Sequence, residues 1–436
     1  MGLSPMRSTG VPPAVGAVVG NRQAVGPPVT PVSMGERDDR ARVPPRSYVM
    51  VALGGVSYLW LTFVWFSLPA FLSPVTAALD LSGTEAGVLV GAVPLTYVPL
   101  SLASGLIVDR IGPLRSIGIG CVVFGVAQVG RSLAGGFPSM LALTVLLGVG
   151  GTAVTFGLPK LVSELFPARR VGTLSTVYLL GSYAGTAAAY GLGRPVLGPA
   201  LGGWRPLFLA GGLACLAFAA LWGAVSWWFT APRFGDDDPT ASIRRDLRRV
   251  FGHRELRLLV VVGTAYLFVT HGLQGWLPTL LESRGIAAGV AGAVASGFVV
   301  ARVVGTLTIP PASDALGRRR GPVAACGVLA GAGAAALLVA AGVPGAVLAV
   351  AVAGVGIGGV APLVRALPTE LEGIGPRLTA TAVGLVFAVG EIGGFLSPFL
   401  IGAGRDLTGS FVPGVGVLLA AGAAMATAGA LMSDPA

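Results

Sequence analysis

The sequence predicts an all-α membrane protein with twelve transmembrane helices arranged as two six-helix repeats. Of its 436 residues, 54% are hydrophobic and only 11% are charged, whereas soluble domains carry about 25% charged residues. Long runs without charge reach the ~20 residues that cross a bilayer as a helix. They lack the period-two alternation of barrel strands. A charged motif also occurs twice, 205 positions apart.

The charge-free runs position the individual helices. Residues 321–364 contain no charge, and the GVPG at 342–345 divides this run into two spans. Three other spans carry one charged residue each, namely Arg131, Arg302 and Glu391. The twelve predicted spans are 48–72, 86–108, 114–135, 139–165, 171–194, 205–229, 257–281, 287–312, 320–341, 345–367, 377–403 and 411–432.

Composition divides the chain into four segments. Residues 1–46 are rich in Pro, Gly and Val and lack the compact apolar core of a signal peptide, so we expect a disordered cytoplasmic tail. Translation from Met34 would shorten this tail. Residues 47–229 and 257–436 form the two bundles. The linker 230–256 is either an ordinary charged connection or, at RRDLRRVFGHREL, an amphipathic helix on the inner leaflet.

The net charge of +10 reflects topology and does not predict a nucleic-acid partner. Most arginines fall in one set of loops, and the positive-inside rule places these loops and both termini in the cytoplasm. We therefore expect an integral protein of the cytoplasmic membrane.

No enzymatic, metal or cofactor site is predicted. Cys121, Cys215 and Cys326 fall inside spans and form no CxxC pair, so we expect buried apolar residues. The sequence contains no HExxH, GxSxG or P-loop motif. An enzyme or receptor is therefore disfavoured, and energy has to come from an ion gradient.

The two halves of the chain repeat one another. Asp109, Gly112 and Arg115 recur 205 positions later as Asp314, Gly317 and Arg320, and Glu164 matches Glu370 at an offset of 206. A duplicated six-helix unit is typical of secondary transporters.

The repeated motif resembles a signature of the major facilitator superfamily. Gly105-x-x-x-Asp109-Arg110-x-Gly112-x-x-Arg115 resembles that family's loop between helices 2 and 3, and the Asp314 motif resembles the loop between helices 8 and 9. Pro113 and Pro310 depart from the pattern. The resemblance implies alternating access and a cytoplasmic gate, although the charges also fit a topology signal alone. The gate residues are Gly105, Asp109, Arg110, Gly112, Arg115, Asp314, Gly317 and Arg318.

Lys160 and Glu164 are further gate candidates. Lys160 lies in the inner third of the fourth span, and Glu164 follows at the i,i+4 spacing of a helical ion pair. Arg365 has a near-equivalent position in the tenth span. Both cations can also extend to the inner surface, and a ligand role is the less favoured interpretation.

Ionisable residues at membrane depth are costly and therefore suggest function. Arg302, near the middle of the eighth span, offers a fork of donors to an anion. Its repeat counterpart is Tyr97, whereas nitrate and nitrite porters of the superfamily have an arginine in both helices, which puts nitrate in doubt. Alternatively, Arg302 forms an internal ion pair with Glu391.

Two more titratable residues lie at mid-depth. Burial raises the pKa of a carboxyl group, which suits Glu391 to proton coupling. His271 suits substrate binding or proton movement, with Gln274 one turn further on the same face. A hydrogen-bonded packing role is the alternative for His271.

Together these features predict a proton-coupled symporter of a small inorganic or organic anion. GLPKLVSELFPARRVG, GLQGWLPTLL and GGWRPLF resemble the cyanate and nitrite branch of the superfamily. The alternative is proton-driven multidrug efflux. Efflux members of the superfamily carry a G-x-x-x-G-P-x-x-G-G pattern in helix 5. The similar segment of this chain has Thr186 in place of the proline.

Overall fold

The computed structural model describes residues 43–229, 252–370 and 376–434, with side chains for all of these except 101–103, 168, 369 and 376–381. Throughout these ranges the chain is helical, with short connections. The helices are α1 Pro45–Ala70, α2 Leu72–Leu79, α3 Gly83–Ile111, α4 Pro113–Ser132, α5 Phe137–Leu165, α6 Ala168–Ala188, a π-helix Ala189–Leu197, α7 Gly198–Leu201, α8 Trp204–Trp227, α9 Arg254–Ser283, α10 Ala288–Leu316, α11 Arg320–Ala336, α12 Gly342–Glu370, α13 Pro376–Thr408 and α14 Val412–Leu431.

Each predicted span overlaps one of these helices, but the number twelve is not confirmed. In the described ranges, nine helices are long and apolar enough to cross a membrane, or ten if the bent segments 83–100 and 104–111 form one span. Helices α6 and α11 are outside this set. α6 begins with two arginines, and α11 has only 17 residues.

Helices α1 and α9, which correspond to the first and seventh predicted spans, begin earlier than predicted, at Pro45 and Arg254. Proline at the start of α1 suits a first helical turn, where its missing N–H is not needed. Most of the predicted tail and most of the predicted linker lie outside the described residues.

Local chemistry explains the helix boundaries at the repeated motif. Gly112 has φ +83° and separates α3 from α4, which begins with Pro113. Gly317 has φ +60° and ends α10. Residues with side chains rarely adopt such positive φ values, so the two glycines permit the tight turns that the motif predicts.

Helices α1–α8 and α9–α14 form two halves that meet closely at one end of the bundle. We call this the far end; it contains Ser82, Arg194, Arg284 and Asp406, and the end that contains 109–115 and 314–320 is the arginine-rich end. A methyl group at Gly87 of α3 would lie 2.4 Å from the carbonyl oxygen of Pro398 in α13. Glycine therefore allows these two backbones to touch.

The contact between α3 and α13 loosens towards the arginine-rich end. Gly91 and Pro94 of α3 still pack against Phe395 and Gly394 of α13. Nearer the arginine-rich end, a methyl group at Gly105 of α3 or Gly384 of α13 would have no neighbour within 4 Å. The two helices therefore diverge in that direction.

A second contact between the halves joins the π-helix to α10. A methyl group at Gly292 of α10 would lie 2.6 Å from the carbonyl oxygen of Tyr190, and the Ser296 hydroxyl donates to the carbonyl of Ala187. Like the first contact, it lies towards the far end.

Arg131 is buried inside the first half. Its Nη1 donates to the carbonyl of Val64 in α1 at 3.1 Å and to Oε1 of Gln128 at 3.0 Å, and its guanidinium lies 5.0 Å from the ring centre of Phe208. Its Nε and Nη2 have no hydrogen-bond partner among the described residues. This arginine joins α4 to α1 and α8.

Within the second half, glycine brings α12 against α10 beside Arg302. A methyl group at Gly358 would lie only 1.9 Å from the backbone oxygen of Arg302. The side chain of Arg302 thus projects from a backbone that α12 holds in place.

Gly358→Ala is expected to lower the midpoint of thermal unfolding in detergent, because the added methyl forces α12 away from α10 and overpacking costs ~1–3 kcal/mol. The control is Gly416→Ala in α14, where a methyl group has no neighbour within 4 Å. Equal midpoints for the two variants would contradict the close contact at Gly358.

Candidate functional site

The centre of the bundle contains a histidine between a tryptophan and a carboxylate. His271 Nε2 of α9 lies 3.4 Å from Glu391 Oε2 of α13. The imidazole also stacks on Trp65 of α1, with ring centres 5.8 Å apart and planes inclined by 14°. Because α1 belongs to the first half and α9 to the second, this stack crosses the boundary between the halves.

The structure pairs Glu391 with His271 and not with Arg302. The alternative of an internal Arg302–Glu391 ion pair is therefore not found in this structure. Glu391 Oε2 is buried and has no hydrogen-bond partner among the described residues, since its contact with His271 is an ion-pair distance without hydrogen-bond geometry. Gly394 packs against both side chains, because a methyl group there would lie 2.8 Å from the imidazole.

Arg302 lies at mid-depth in α10 with 9% of its surface exposed. Its guanidinium carbon is 5.5 Å from the ring centre of Tyr183 in α6 and 5.9 Å from that of Phe298. Its Nε is buried without a hydrogen-bond partner in the described part of the chain. A buried guanidinium N–H without an acceptor is an available donor for an anion.

The other two predicted ligands, Tyr97 and Gln274, lie on opposite halves. The hydroxyl groups of Tyr97 and Thr155 are hydrogen-bonded at 3.0 Å within the first half. Gln274 is buried, and its backbone carbonyl accepts a hydrogen bond from Tyr190 of the π-helix. Gln274 thus contributes a contact between the halves, and Tyr97 contributes an aromatic ring.

Five aromatic side chains of the first half pack in two groups, and Tyr183 lies beside Arg302; we call these six rings the aromatic wall. Tyr97 is 5.8 Å from Trp65 and 6.2 Å from Phe156 between ring centres. Tyr58 stacks on Tyr178 at 6.2 Å and lies close to Thr155. The aromatic wall consists of Tyr58, Trp65, Tyr97, Phe156, Tyr178 and Tyr183.

At the arginine-rich end, Lys160 forms the ion pair of the first half. Lys160 of α5 contacts the carboxylate of Asp109 in α3, and Glu164 lies 4.0 Å away. Two of the predicted gate residues, Asp109 and Lys160, are thus brought together. The exposed Arg110 and Arg115 flank the pair.

In the second half, Arg319 rather than the predicted Arg318 makes the corresponding contacts. Its Nε and Nη2 donate to Glu370 at 2.8 and 2.7 Å, and its Nη1 donates to Asp314 at 2.5 Å. The hydrogen bonds to Glu370 raise the pKa of the Arg319 guanidinium above its ordinary value. Arg318 is exposed, and its carbonyl accepts a hydrogen bond from Ser313.

Arg365 does not belong to that ion-pair group. Its Nη1 donates to the carbonyl of Ala361 at 2.8 Å, and its guanidinium lies 4.6 Å from the ring centre of Phe387 in α13. Arg365 thus packs against an aromatic ring of α13, a contact that the sequence did not indicate.

At the far end, polar contacts cross from one half to the other. Asp406 of α13 accepts hydrogen bonds from the backbone N–H groups of Gly83 and Thr84 at 2.7 Å and from the Thr84 hydroxyl at 2.6 Å. A carboxylate is favoured at this position because the helix N-terminus carries partial positive charge. Arg194 of the π-helix also pairs with Glu282 of α9 at 2.8 Å. We call these contacts the far-end latch.

Within the described residues, no group of three or more His, Cys, Asp or Glu side chains is arranged to hold a metal ion. The three cysteines are buried and unpaired by disulfides. The ionisable side chains at mid-depth are Arg302, His271 and Glu391, and Arg302 and His271 each lie against an aromatic ring of the first half.

The chain belongs to the major facilitator superfamily. The family model described as Major Facilitator Superfamily matches residues 53–398. It follows that the protein is an integral membrane protein of the secondary transporter type with the all-helical fold of this family.

Two relatives and one solved structure are similar over most of the chain. The 3-(3-hydroxy-phenyl)propionate transporter of Escherichia coli (strain K12) is 28% identical over 364 residues, which cover 81% of this chain and 85% of the relative. The quinolone resistance transporter of Acinetobacter baumannii is 25% identical over 345 residues, covering 73% and 78%.

A crystal structure of a bacterial homologue of the human lysosomal transporter Spinster, in an inward-facing and unoccupied conformation, superimposes with a TM-score of 0.69. It is 18% identical and covers 89% of this chain and 95% of that one. This similarity supports the fold.

Asp406→Ala is expected to shift the protein towards opening at the far end, because it removes a charged cap that the second half supplies to α3. Such a charge contributes ~0.3–1 kcal/mol, so the ratio of closed to open molecules should fall roughly two- to fivefold. Spin labels at the exposed positions in Leu133→Cys and Val339→Cys, one on each half, report the far-end separation.

The matched control is Glu85→Ala, which removes the other carboxylate at the same helix start. Glu85 forms a capping box with Ser82 inside the first half. If both variants change the label distances equally, any loss of a carboxylate at the start of α3 opens the far end. The link that Asp406 makes between the two halves would then not be the cause.

Proposed function

We propose that the protein is a proton-coupled secondary transporter of an organic anion that works by alternating access between its two halves. The observation that carries this proposal is the buried guanidinium of Arg302, which has an unused donor and no carboxylate partner and faces a ring of the other half. Burial of an unpaired cation is costly, and a bound anion would offset this cost.

Anion entry is proposed from the arginine-rich end. The exposed Arg365 lies near that end of α12, two helical turns from Gly358, which packs against the backbone of Arg302. Two turns span about 11 Å. An anion attracted by Arg365 therefore has a second, more deeply buried cation within reach.

Proton coupling is proposed at Glu391 with His271. With a proton on His271, the contact between the two side chains is an ion pair; a second proton on Glu391 removes it and leaves net positive charge beside the site. That charge compensates a bound anion. Because His271 stacks on Trp65, a change in its charge also alters the contact between the halves through the cation–π attraction.

Alternating access follows from where the contacts cross. The far-end latch joins the two halves, whereas Lys160–Asp109 and Arg319–Glu370 each lie within one half. We interpret this arrangement as the state open at the arginine-rich end. The positive-inside rule assigns that end and both termini to the cytoplasm of a cell with this protein in its inner membrane. New ion pairs between gate charges of opposite halves would close the arginine-rich end.

Drug efflux is the second candidate, favoured by the buried carboxylate of Glu391 next to aromatic rings. Such a carboxylate suits a lipophilic cation. One relative is a quinolone resistance transporter. The resemblance to the cyanate and nitrite branch, and with it an inorganic substrate, stays a hypothesis.

Arg302→Gln is expected to weaken binding of a transported anion roughly 10- to 100-fold, because a hydrogen bond to a charged group contributes ~1.5–3 kcal/mol. Equilibrium binding to purified protein would be measured with a panel of small carboxylates. The control Arg405→Gln removes another arginine that lies over a ring, Phe411, but at the far end. Unchanged affinity in Arg302→Gln, with folding intact, would remove Arg302 from the site.

Glu391→Gln is expected to preserve anion exchange in proteoliposomes and to abolish accumulation driven by a pH gradient, since the amide cannot take up the coupled proton. Asp80→Asn is the control, because it neutralises a carboxylate outside the site at a left-handed position (φ 51°) that asparagine tolerates. Accumulation that persists in Glu391→Gln would exclude this residue as the coupling group. A response to cationic drugs alone would favour efflux.

A further inference from the structure

We infer that the site selects an aromatic carboxylate, in which a planar ring occupies the first half of the cavity and the carboxylate occupies the second. This inference rests on the proposed function and specifies its substrate class. It comes from the unequal chemistry of the two halves at the same depth.

Among the described residues, the ionisable side chains near the centre of the bundle belong to the second half. His271, Arg302 and Glu391 lie on α9, α10 and α13, and Arg365 lies on α12, nearer the arginine-rich end. In the first half, residues 47–79, 86–108 and 132–159 contain no charged side chain. Tyr97 occupies the repeat position that corresponds to Arg302, so a ring replaces a cation between the two repeats.

An aromatic ring of the first half lies close to a cation of the second half. Tyr183 of the first half lies 5.5 Å from the guanidinium carbon of Arg302. A carboxylate that accepts hydrogen bonds from Arg302 therefore has the rest of its molecule beside the aromatic wall. Phe298, on the same helix as Arg302 and 5.9 Å from its guanidinium carbon, is fully buried and supports the guanidinium from within the second half.

The wall offers ring surfaces more than hydrogen-bond donors. The Tyr97 hydroxyl is already bonded to Thr155, and Tyr58 lies near the same threonine. Trp65 is stacked on Phe66 with planes inclined by 3° and on His271 with planes inclined by 14°. Trp65 therefore links the wall to the proton site, and the tyrosines remain to contact a ligand.

This combination disfavours a small inorganic anion. Such an ion loses its hydration shell in the site, and one guanidinium opposite aromatic carbon replaces only part of it. A ring that carries a carboxylate instead buries apolar surface and gains offset or edge-to-face contacts with the tyrosines.

The test compares ligands that differ only in aromaticity. Binding of benzoate and 3-phenylpropionate to the purified full-length protein is measured by calorimetry against cyclohexanecarboxylate, 3-cyclohexylpropionate, acetate and nitrate. The aromatic acids are expected to bind roughly three- to tenfold tighter than their saturated counterparts. Tyr183→Leu is expected to remove this preference, and Tyr183→Phe to retain it.

Tyr48→Leu is the matched control, because Tyr48 makes an edge-to-face contact with Phe166 at the arginine-rich end and lies outside the aromatic wall. The Tyr183→Phe variant keeps the test decisive if Tyr183→Leu fails to fold, because loss of the preference in a variant that retains the ring would contradict stacking.

The outcomes separate this inference from the proposed function. Equal affinity for aromatic and saturated acids, or tighter binding of acetate or nitrate, would overturn the aromatic site while leaving an Arg302-dependent anion transporter. Binding of cationic drugs without binding of any carboxylate would overturn both.

Discussion

The joint between the two halves at the far end determines the rest of the architecture. Lipid provides no hydrophobic drive for helices to associate, so close backbone packing and hydrogen bonds have to hold the halves together. Gly87 lets α3 touch α13, Gly292 lets α10 touch the π-helix, and Asp406 caps α3 from the other half. Because contact is concentrated there, the helices separate towards the arginine-rich end. The mid-depth residues consequently lie at the boundary between a packed region and an open one.

This geometry gives the two halves different chemical tasks. The first half presents rings, and the second presents cations and a carboxylate. A relative rotation of the halves about the far end changes the distance between rings and charges without rebuilding either half, because the ion pairs of Lys160 and Arg319 lie inside single halves. The stack of Trp65 on His271 is a direct contact between the two sets.

Patterns of charge and of small residues carried most of the information that the sequence offered about the fold. Charge-free runs located the helices, and the repeated motif located the turns at Gly112 and Gly317. Side-chain contacts between helices could not be predicted in the same way, since a single sequence does not reveal which helix faces meet. An ion pair of Glu391 with Arg302 was offered as an alternative, whereas the residue beside Glu391 is His271. Three consecutive arginines gave no indication that Arg319 is the one that pairs with Glu370, and no pattern linked Asp406 to the start of α3. The contact of Arg365 with Phe387 was also not predicted, because it depends on a residue of another helix.

The buried Arg131 has a consequence for how the chain is assembled during synthesis. Arg131 lies in the last turn of α4 and is completely buried, and burying a charged group is costly unless hydrogen bonds satisfy it. Within α4 itself, Gln128 supplies one acceptor; the other comes from the carbonyl of Val64 in α1. The guanidinium therefore gains its second acceptor only when α4 packs against α1, and Phe208 covers it only after α8 has been made. Its full set of contacts requires α1, α4 and α8 together.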